Sequence, residues 1–176
     1  MTTEHSLSDL VKLVAERALE SGRRIVTAES CTGGWIAKVF TDVAGSSRWF
    51  ECGFVTYSDA AKMRDLGVCA RTLQEHGAVS EATVREMAAG ALRVSGAGIS
   101  IAVSGIAGPD GGSAEKPVGT VWFCVGRRGS AASPAGGVVL VPEGRVFGGD
   151  REAVRRLSVE HALKLVLRTD APGDGR

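Results

Sequence analysis

The residues that stand out first for their chemistry are a serine, Ser30, and two glycines that follow it closely, Gly33 and Gly34. They lie in the segment TAESCTGG, residues 27–34, between a strand-like run and a helix-like run. A strand that turns directly into a helix exposes the residue at the turn and points unpaired backbone N–H groups at any ligand there. Ser30 is therefore a candidate nucleophile, and the glycines allow a ligand to approach the backbone. A serine that only caps the helix is the plainer interpretation.

A tyrosine and a lysine, Tyr57 and Lys62, form the second candidate group. Residues 53–57 are strand-like, and Ser58 is a good N-cap for a helix with Lys62 near its first turn. The positive end of the helix dipole disfavours a charged lysine and lowers its pKa, so the amine can act as a general base. A solvated helix lysine is the plainer interpretation. The three histidines are poorer candidates, because they fall near the terminus, in a turn and on a core face (His5, His76 and His161).

A second glycine-rich segment, SGIAGPDGG, occupies residues 104–112 and follows a buried-type strand. Five of these nine residues are Gly or Pro, which favours a cradle for an anion or a sugar phosphate. Neither GxGxxG nor a P-loop lysine is present, since Lys116 lies too far along the chain, and a plain connecting loop is the simpler alternative. The candidate substrate contacts here are Ser104, Gly105, Ile106, Ala107, Gly108 and Pro109.

The elements that must position these residues follow from periodicity and turn signals. Helices are predicted at residues 6–21, from about 34 to 40, and at 58–66, 80–96 and 150–167. Strands are predicted at 24–29, 53–57, 99–104, 118–125 and 138–141, with a weaker one at 145–147. Helices and strands alternate early and strands cluster late, which predicts a single three-layer α/β/α domain with a mixed sheet. We expect that domain to cover residues 1–168, with a disordered tail at 169–176 and a hairpin excursion at 126–137.

Composition excludes several classes of function. With 176 residues, 44% of them hydrophobic and 23% charged, the chain is typical of one globular domain. A net charge of +1 and nine aromatic residues (five Phe, three Trp, one Tyr) do not favour nucleic-acid binding. No apolar run is long enough for a membrane span and no secretory signal is evident, which predicts a soluble cytoplasmic protein. The four cysteines (Cys31, Cys52, Cys69 and Cys124) form no CxxC pair, which favours reduced thiols and no zinc site.

Taken together, these segments resemble one known family. The runs are residues 27–62 (TAESCTGGWIAKVFTDVAGSSRWFECGFVTYSDAAK), 76–80 (HGAVS), 104–122 (SGIAGPDGGSAEKPVGTVW) and 148–156 (GGDREAVRR). They are similar to the nicotinamide-nucleotide amidase family, also known as the C-terminal domain of the competence/damage-inducible protein CinA. The resemblance covers nearly the whole chain. The chain's length of 176 residues matches the members of this family that occur alone and are not fused to another domain. One departure is the region 126–144, which is richer in Gly and Ala than we expect.

The resemblance implies hydrolysis of nicotinamide mononucleotide (NMN) to nicotinate mononucleotide and ammonia, in pyridine-nucleotide recycling. It also implies a Ser/Tyr/Lys catalytic set, which maps onto Ser30, Tyr57 and Lys62. On this basis Ser30 attacks the carboxamide, Lys62 moves its proton, and Tyr57 orients the pair or relays the proton. Backbone N–H groups at residues 30–34 form the oxyanion hole, Thr32 adds a hydroxyl contact, and the second segment holds the nucleotide. Neither a metal nor an organic cofactor is expected.

Two rival interpretations remain open at this point. Cys31 sits beside Ser30 at the same helix start, where the pKa of a thiol falls, so a cysteine hydrolase is one alternative. The other is a non-catalytic module of the same fold that binds a nucleotide or a partner. A homodimer is also left open.

Overall fold

The computed structural model describes residues 6–129 and 137–169. Its helices are α1 (Leu7–Ser21), α2 (Trp35–Thr41), α3 (Asp59–Leu66), α4 (Ala70–His76), α5 (Glu81–Ser95) and α6 (Arg151–Thr169), with a short 3₁₀ turn at Ser46–Arg48. Its strands are β1 (Ile25–Glu29), β2 (Phe50–Val55), β3 (Ile99–Gly105), β4 (Thr120–Arg128) and β5 (Val138–Val146).

The strands form one five-stranded sheet in the order β2-β1-β3-β4-β5. The neighbours β2, β1 and β3 run parallel, whereas β4 and β5 pair antiparallel. Helices α1, α2 and α6 contact one another over one face, and α3 and α4 pack on α5 over the other. The predicted three-layer α/β/α domain with a mixed sheet is confirmed.

Residues at the ends of the predicted helices stop and start them as expected. The Ser6 side chain forms a reciprocal capping box with Asp9 at the start of α1, and Gly22 ends that helix in the left-handed region. Ser80 caps α5 by accepting from the Thr83 N–H, and Gly96 ends it. These local signals explain why the sequence predicted both helices closely.

Two buried apolar clusters lie on the two faces of the sheet, and β1 contributes to both. Ile25 belongs to the cluster under α1, α2 and α6, whereas Val26 and Ala28 belong to the cluster under α5. Side chains alternate between the faces of a strand. Glu29 therefore faces the α2 side, and Ser30, the next residue, continues on the α3/α5 side.

The structure differs from the predicted elements in several places. Strand β2 spans Phe50–Val55, so Tyr57 lies two residues beyond it, and the strands predicted at 138–141 and 145–147 form one strand, β5. Helix α4 was not predicted, because Leu73 is its one buried residue and its seven residues carry little periodicity. Helix α6 continues through Thr169, where a tail was expected, while residues 170–176 lie outside the described part. Antiparallel β4 and β5 confirm the hairpin, whose residues 130–136 lie outside the described ranges.

Candidate active site

The candidate site lies where the three parallel strands end. Glu29 is in register with Val55 of β2 and with Val103 of β3. The residue that follows β1, Ser30, therefore lies between Thr56 and Ser104, with all three side chains on the α3/α5 face. Ligand sites of α/β sheets occur at the carboxyl ends of strands.

Ser30 and Lys62 are brought together by α3. Lys62 Nζ lies 3.1 Å from Ser30 Oγ. The same nitrogen lies 2.9 Å from the carbonyl oxygen of Thr56 and 3.3 Å from that of Tyr57. Lys62 is 1% exposed and Ser30 8%. The plainer interpretations of both residues are therefore wrong: Lys62 is not solvated, and the N-cap of α2 is Gly34.

Burial favours the uncharged form of Lys62. Removal from water lowers the pKa of its amine, while Asp59 and Cys31 oppose this more weakly. The sequence attributed the same shift to the helix dipole, whereas the largest cause in the structure is burial. A neutral amine has two N–H groups and one lone pair, which suit two carbonyl acceptors and the hydroxyl proton of Ser30.

Glu29 anchors the first glycine loop (residues 30–34) to α2. Its buried carboxylate accepts hydrogen bonds from the N–H groups of Ile36 (3.0 Å) and Ala37 (2.8 Å) and from the Thr32 hydroxyl (2.7 Å). The carboxylate thus takes donors that a helix N-terminus would otherwise offer to a ligand. Thr32 is 0% exposed, so the expected contact between its hydroxyl and a ligand is corrected: this hydroxyl holds the loop.

Two backbone N–H groups of the first glycine loop are also committed. The Ser30 N–H donates to the Val103 carbonyl and the Gly33 N–H to the Ser30 carbonyl, each at 3.0 Å. Within the described ranges, the N–H groups of Cys31, Thr32 and Gly34 make no hydrogen bond to another residue. The backbone of Gly33 (φ 63°) and Gly34 (φ 91°) lies in the left-handed region, which residues other than glycine rarely adopt. The N–H groups available for the expected oxyanion hole are therefore those of Cys31, Thr32 and Gly34.

Tyr57 contributes its backbone, not its hydroxyl, to the Ser30–Lys62 contact. Its side chain is 60% exposed, and its hydroxyl accepts a hydrogen bond from Arg151 Nη2 at 3.0 Å. Its carbonyl accepts from Lys62. Tyr57 therefore contacts the lysine through its main chain, and among the described residues no hydrogen bond links its hydroxyl to Lys62 or Ser30.

The second glycine loop (residues 105–112) is held mainly by its backbone. Ile106 donates to the Thr120 carbonyl at 2.9 Å and accepts from the Gly119 N–H at 2.7 Å. Ala107 and Gly108 are buried, Gly105 and Ile106 are half-buried, and Pro109 is exposed. Ser104 is 1% exposed, and its hydroxyl donates to the Ala78 carbonyl at 2.8 Å. The Ser104 hydroxyl is therefore committed to Ala78, and the substrate contact expected at Ser104 stays a prediction.

Two arginines at the start of α6 connect to both loops. Arg151 donates to the Gly108 carbonyl at 2.8 Å as well as to the Tyr57 hydroxyl. Arg155 donates to the carbonyls of Cys31 (3.0 Å) and Thr32 (2.9 Å). Sequence reasoning assigned roles to neither arginine nor to Glu29. The available signal was their position four residues apart in GGDREAVRR, which places both on one helix face.

Other candidate groups lie outside this contact. Lys116 Nζ donates to the His76 carbonyl at 2.7 Å, and His161 Nε2 lies 3.2 Å from Glu143 Oε1. His5 is outside the described residues. Burial raises the pKa of the Cys31 thiol to about 11, which keeps it protonated at neutral pH. In the described ranges no three His, Cys, Asp or Glu residues form a group suited to a metal, and no helix could span a bilayer.

These features define a three-layer α/β/α protein whose candidate site is built at the ends of parallel strands. A model of the CinA C-terminal domain family matches residues 7–169. The chain is 52% identical to nicotinamide-nucleotide amidohydrolase PncC of Escherichia coli (strain K12) over 162 residues, 92% of this chain and 93% of that protein. It is also 52% identical to the protein of the same name from Enterobacter agglomerans, covering 94% of this chain and 96% of that one.

A solved structure agrees with these sequence relatives. The crystal structure of a CinA superfamily protein from Klebsiella pneumoniae 700603 superposes with a TM-score of 0.86 at 40% identity, covering 94% of this chain and 98% of that one. The chain belongs to the CinA C-terminal domain family.

Proposed function

We propose that this protein is an amidohydrolase that converts nicotinamide mononucleotide and water to nicotinate mononucleotide and ammonia, in pyridine-nucleotide recycling. The observation that carries the proposal is the buried contact between Ser30 Oγ and Lys62 Nζ at 3.1 Å. Relatives that share about half of their residues with this chain carry the name of that activity. The substrate is a small molecule, and no part of the proposal needs a nucleic acid or a membrane.

In the first half-reaction Ser30 Oγ attacks the carboxamide carbon while Lys62 accepts the hydroxyl proton. The new ammonium has three N–H groups, and three oxygens surround it, from Ser30, Thr56 and Tyr57. Lys62 then returns the proton to the amide nitrogen, the C–N bond breaks and ammonia leaves. The product of this stage is an ester between Ser30 and the nicotinoyl group.

In the second half-reaction a water molecule replaces ammonia. Lys62 takes a proton from the water, and the hydroxide attacks the ester carbon. The proton on Lys62 then passes to Ser30 Oγ as the bond between Oγ and the carbonyl carbon breaks, and the released carboxylic acid loses its remaining proton to solvent. Both tetrahedral intermediates carry a negative oxygen. We assign its stabilisation to two of the free N–H groups of the first glycine loop, those of Thr32 and Gly34, and a donor of this kind typically contributes about 3 kcal/mol.

The second glycine loop is assigned to the phosphoribosyl half of the substrate. Its left-handed glycines keep the backbone free of side chains, and the two loops come together at the same edge of the sheet. Gly105 to Pro109 are the contacts we propose, together with Gly33 and Gly34 from the first loop. Binding energy from this remote half then positions the carboxamide against Ser30.

The two rival functions are less well supported by the geometry. A cysteine hydrolase needs a thiolate, whereas Cys31 is buried with a raised pKa and Lys62 contacts Ser30. A module that only binds has no need for a buried lysine held against a serine, since removing an amine from water costs free energy of folding.

The decisive experiment incubates the purified protein with NMN and measures ammonia and nicotinate mononucleotide in equal amounts. Equimolar release that depends on enzyme concentration supports the proposal, and its absence over a wide pH range contradicts it. The cytoplasmic location and a homodimer also remain predictions, the second of which sedimentation equilibrium tests.

A further inference from the structure

Arg155 lies on α6, and its guanidinium contacts the first glycine loop, which carries Ser30. Its Nε donates to the Cys31 carbonyl at 3.0 Å and its Nη2 to the Thr32 carbonyl at 2.9 Å. The guanidinium carbon also lies 5.3 Å from the centre of the Trp35 ring, a cation–π distance. The planar guanidinium of Arg155 thus binds two successive carbonyls, and the Trp35 ring helps to hold it in place.

A trans peptide unit points its C=O and its N–H in opposite directions. The Cys31 carbonyl belongs to the same peptide unit as the Thr32 N–H, so a bond from Arg155 to this carbonyl directs that N–H away from α6. Helix α6 covers one face of the sheet, and the Ser30 side chain continues on the other. The Thr32 N–H is therefore turned toward the side of the loop on which Ser30 Oγ lies.

The same reasoning separates this N–H from its neighbours. The Gly33 N–H, paired with the Thr32 carbonyl that Arg155 also binds, closes the turn by donating to the Ser30 carbonyl. The Ser30 N–H is held by Val103. Within the described ranges the N–H groups of Cys31, Thr32 and Gly34 make no hydrogen bond to another residue. Among these three, the Thr32 N–H is the one that shares a peptide unit with a carbonyl bound by Arg155.

We propose that Arg155 is a positioning residue for the hydrolysis: it aligns the Thr32 N–H on the oxygen that becomes negative during attack by Ser30. The inference rests on the proposed amidohydrolase function. Arg155 does not touch the substrate in this role. It acts through a peptide unit, and its positive charge on the far side of that unit adds to the attraction for the oxyanion.

The test compares Arg155→Lys with wild type in steady-state kinetics on NMN. Lysine keeps the charge but cannot hold two carbonyls in a fixed plane. We expect kcat to fall about 10- to 100-fold, below the loss of 10²–10³ typical for complete removal of such a donor, and KM to change less than about threefold. The rising limb of the pH–rate profile should keep its position, because Lys62 is untouched.

The matched control is Arg156→Lys, the next residue on α6, whose guanidinium lies 3.7 Å from Glu160 at the surface. It should leave kcat and KM unchanged. If Arg155→Lys does not fold, Trp35→Leu removes the ring that fixes the guanidinium and should lower kcat by about 3- to 10-fold with KM unchanged.

Several results would overturn the inference. A raised KM with unchanged kcat would make Arg155 a substrate ligand, a shifted pH limb would make it act through Lys62, and a loss of stability alone would make it structural. An inactive wild-type protein would instead remove the proposed function itself, and the inference with it.

Discussion

The two glycine loops meet at one edge of the sheet but are built differently. The first is fixed by three side chains: that of Glu29, which directly precedes the loop, that of Lys62 from α3 and that of Arg155 from α6. The second is held by backbone pairing of Ile106 and by a single side-chain bond from Arg151, and residues 109–115 are exposed. The difference fits a division of labour, because bond-making atoms need fixed geometry while recognition of a nucleotide tolerates an open surface.

The largest effect should come from the centre of the first loop. Ser30→Ala removes the atom that forms the ester, so ammonia release from NMN should fall on the order of 10⁴-fold or more. Cys31→Ala, its neighbour, should change kcat by less than about threefold because a buried thiol with a raised pKa is not a nucleophile. An inactive Cys31→Ala that still folds and binds NMN would assign the chemistry to the thiol.

Lys62→Arg should give the next largest effect. Arginine keeps a positive charge but does not deprotonate in proteins, so kcat should fall at least about 100-fold with NMN binding retained. In wild type the rate should rise with pH along a limb below the ordinary lysine pKa of 10.5, because burial lowers the pKa of Lys62. Near-normal turnover in Lys62→Arg would require another base.

The same lysine makes a prediction about stability. As pH falls below 10.5, Lys62 in the unfolded chain binds a proton. In the folded protein the buried amine stays neutral until pH reaches its lowered pKa. The free energy of unfolding therefore falls through that pH window. Lys62→Met removes this proton uptake. The stability of Lys62→Met relative to wild type, measured by denaturant unfolding, should therefore grow as pH falls. A difference that is constant with pH would mean that Lys62 stays charged in the fold.

A smaller effect is expected in the second loop. In Gly108→Ala the new methyl group would lie 2.6 Å from Val118 Cγ1, at a backbone φ of 79°. The loop should shift, raising KM for NMN about tenfold, which corresponds to ~1.4 kcal/mol, with kcat nearly unchanged. Gly96→Ala is the matched control, since Gly96 has a similar φ of 73° with open space around it. Equal KM values for the two variants would remove the loop from substrate recognition.

The smallest effect should follow metal removal. Prolonged dialysis against EDTA should leave turnover unchanged, because a lysine base and backbone donors supply the proton transfer and the charge stabilisation. If EDTA abolished turnover and zinc restored it, a mechanism based on a lysine base and backbone donors would be contradicted.

Much of the fold could be predicted from the sequence, because its signals are local. Capping residues such as Ser58 and Ser80, stop glycines such as Gly22, and the periodicity of the flanking helices all act within a few residues. Helix α4 and the start of β2 escaped prediction where the apolar pattern is short. Both predicted glycine loops and the Ser30–Lys62 pair are found at one edge of the sheet.

By itself the sequence determined which residues end strands, which glycines permit left-handed turns, and which side chains have the right chemistry. Only the tertiary structure decided which of them meet. It brought Lys62 to Ser30 across 32 positions and Arg155 to Cys31 across 124, and it turned the hydroxyls of Thr32 and Ser104 inward to Glu29 and Ala78. The physical reason is that periodicity reports which face of an element is buried. Whether a buried polar group has a hydrogen-bond partner depends instead on how distant elements pack.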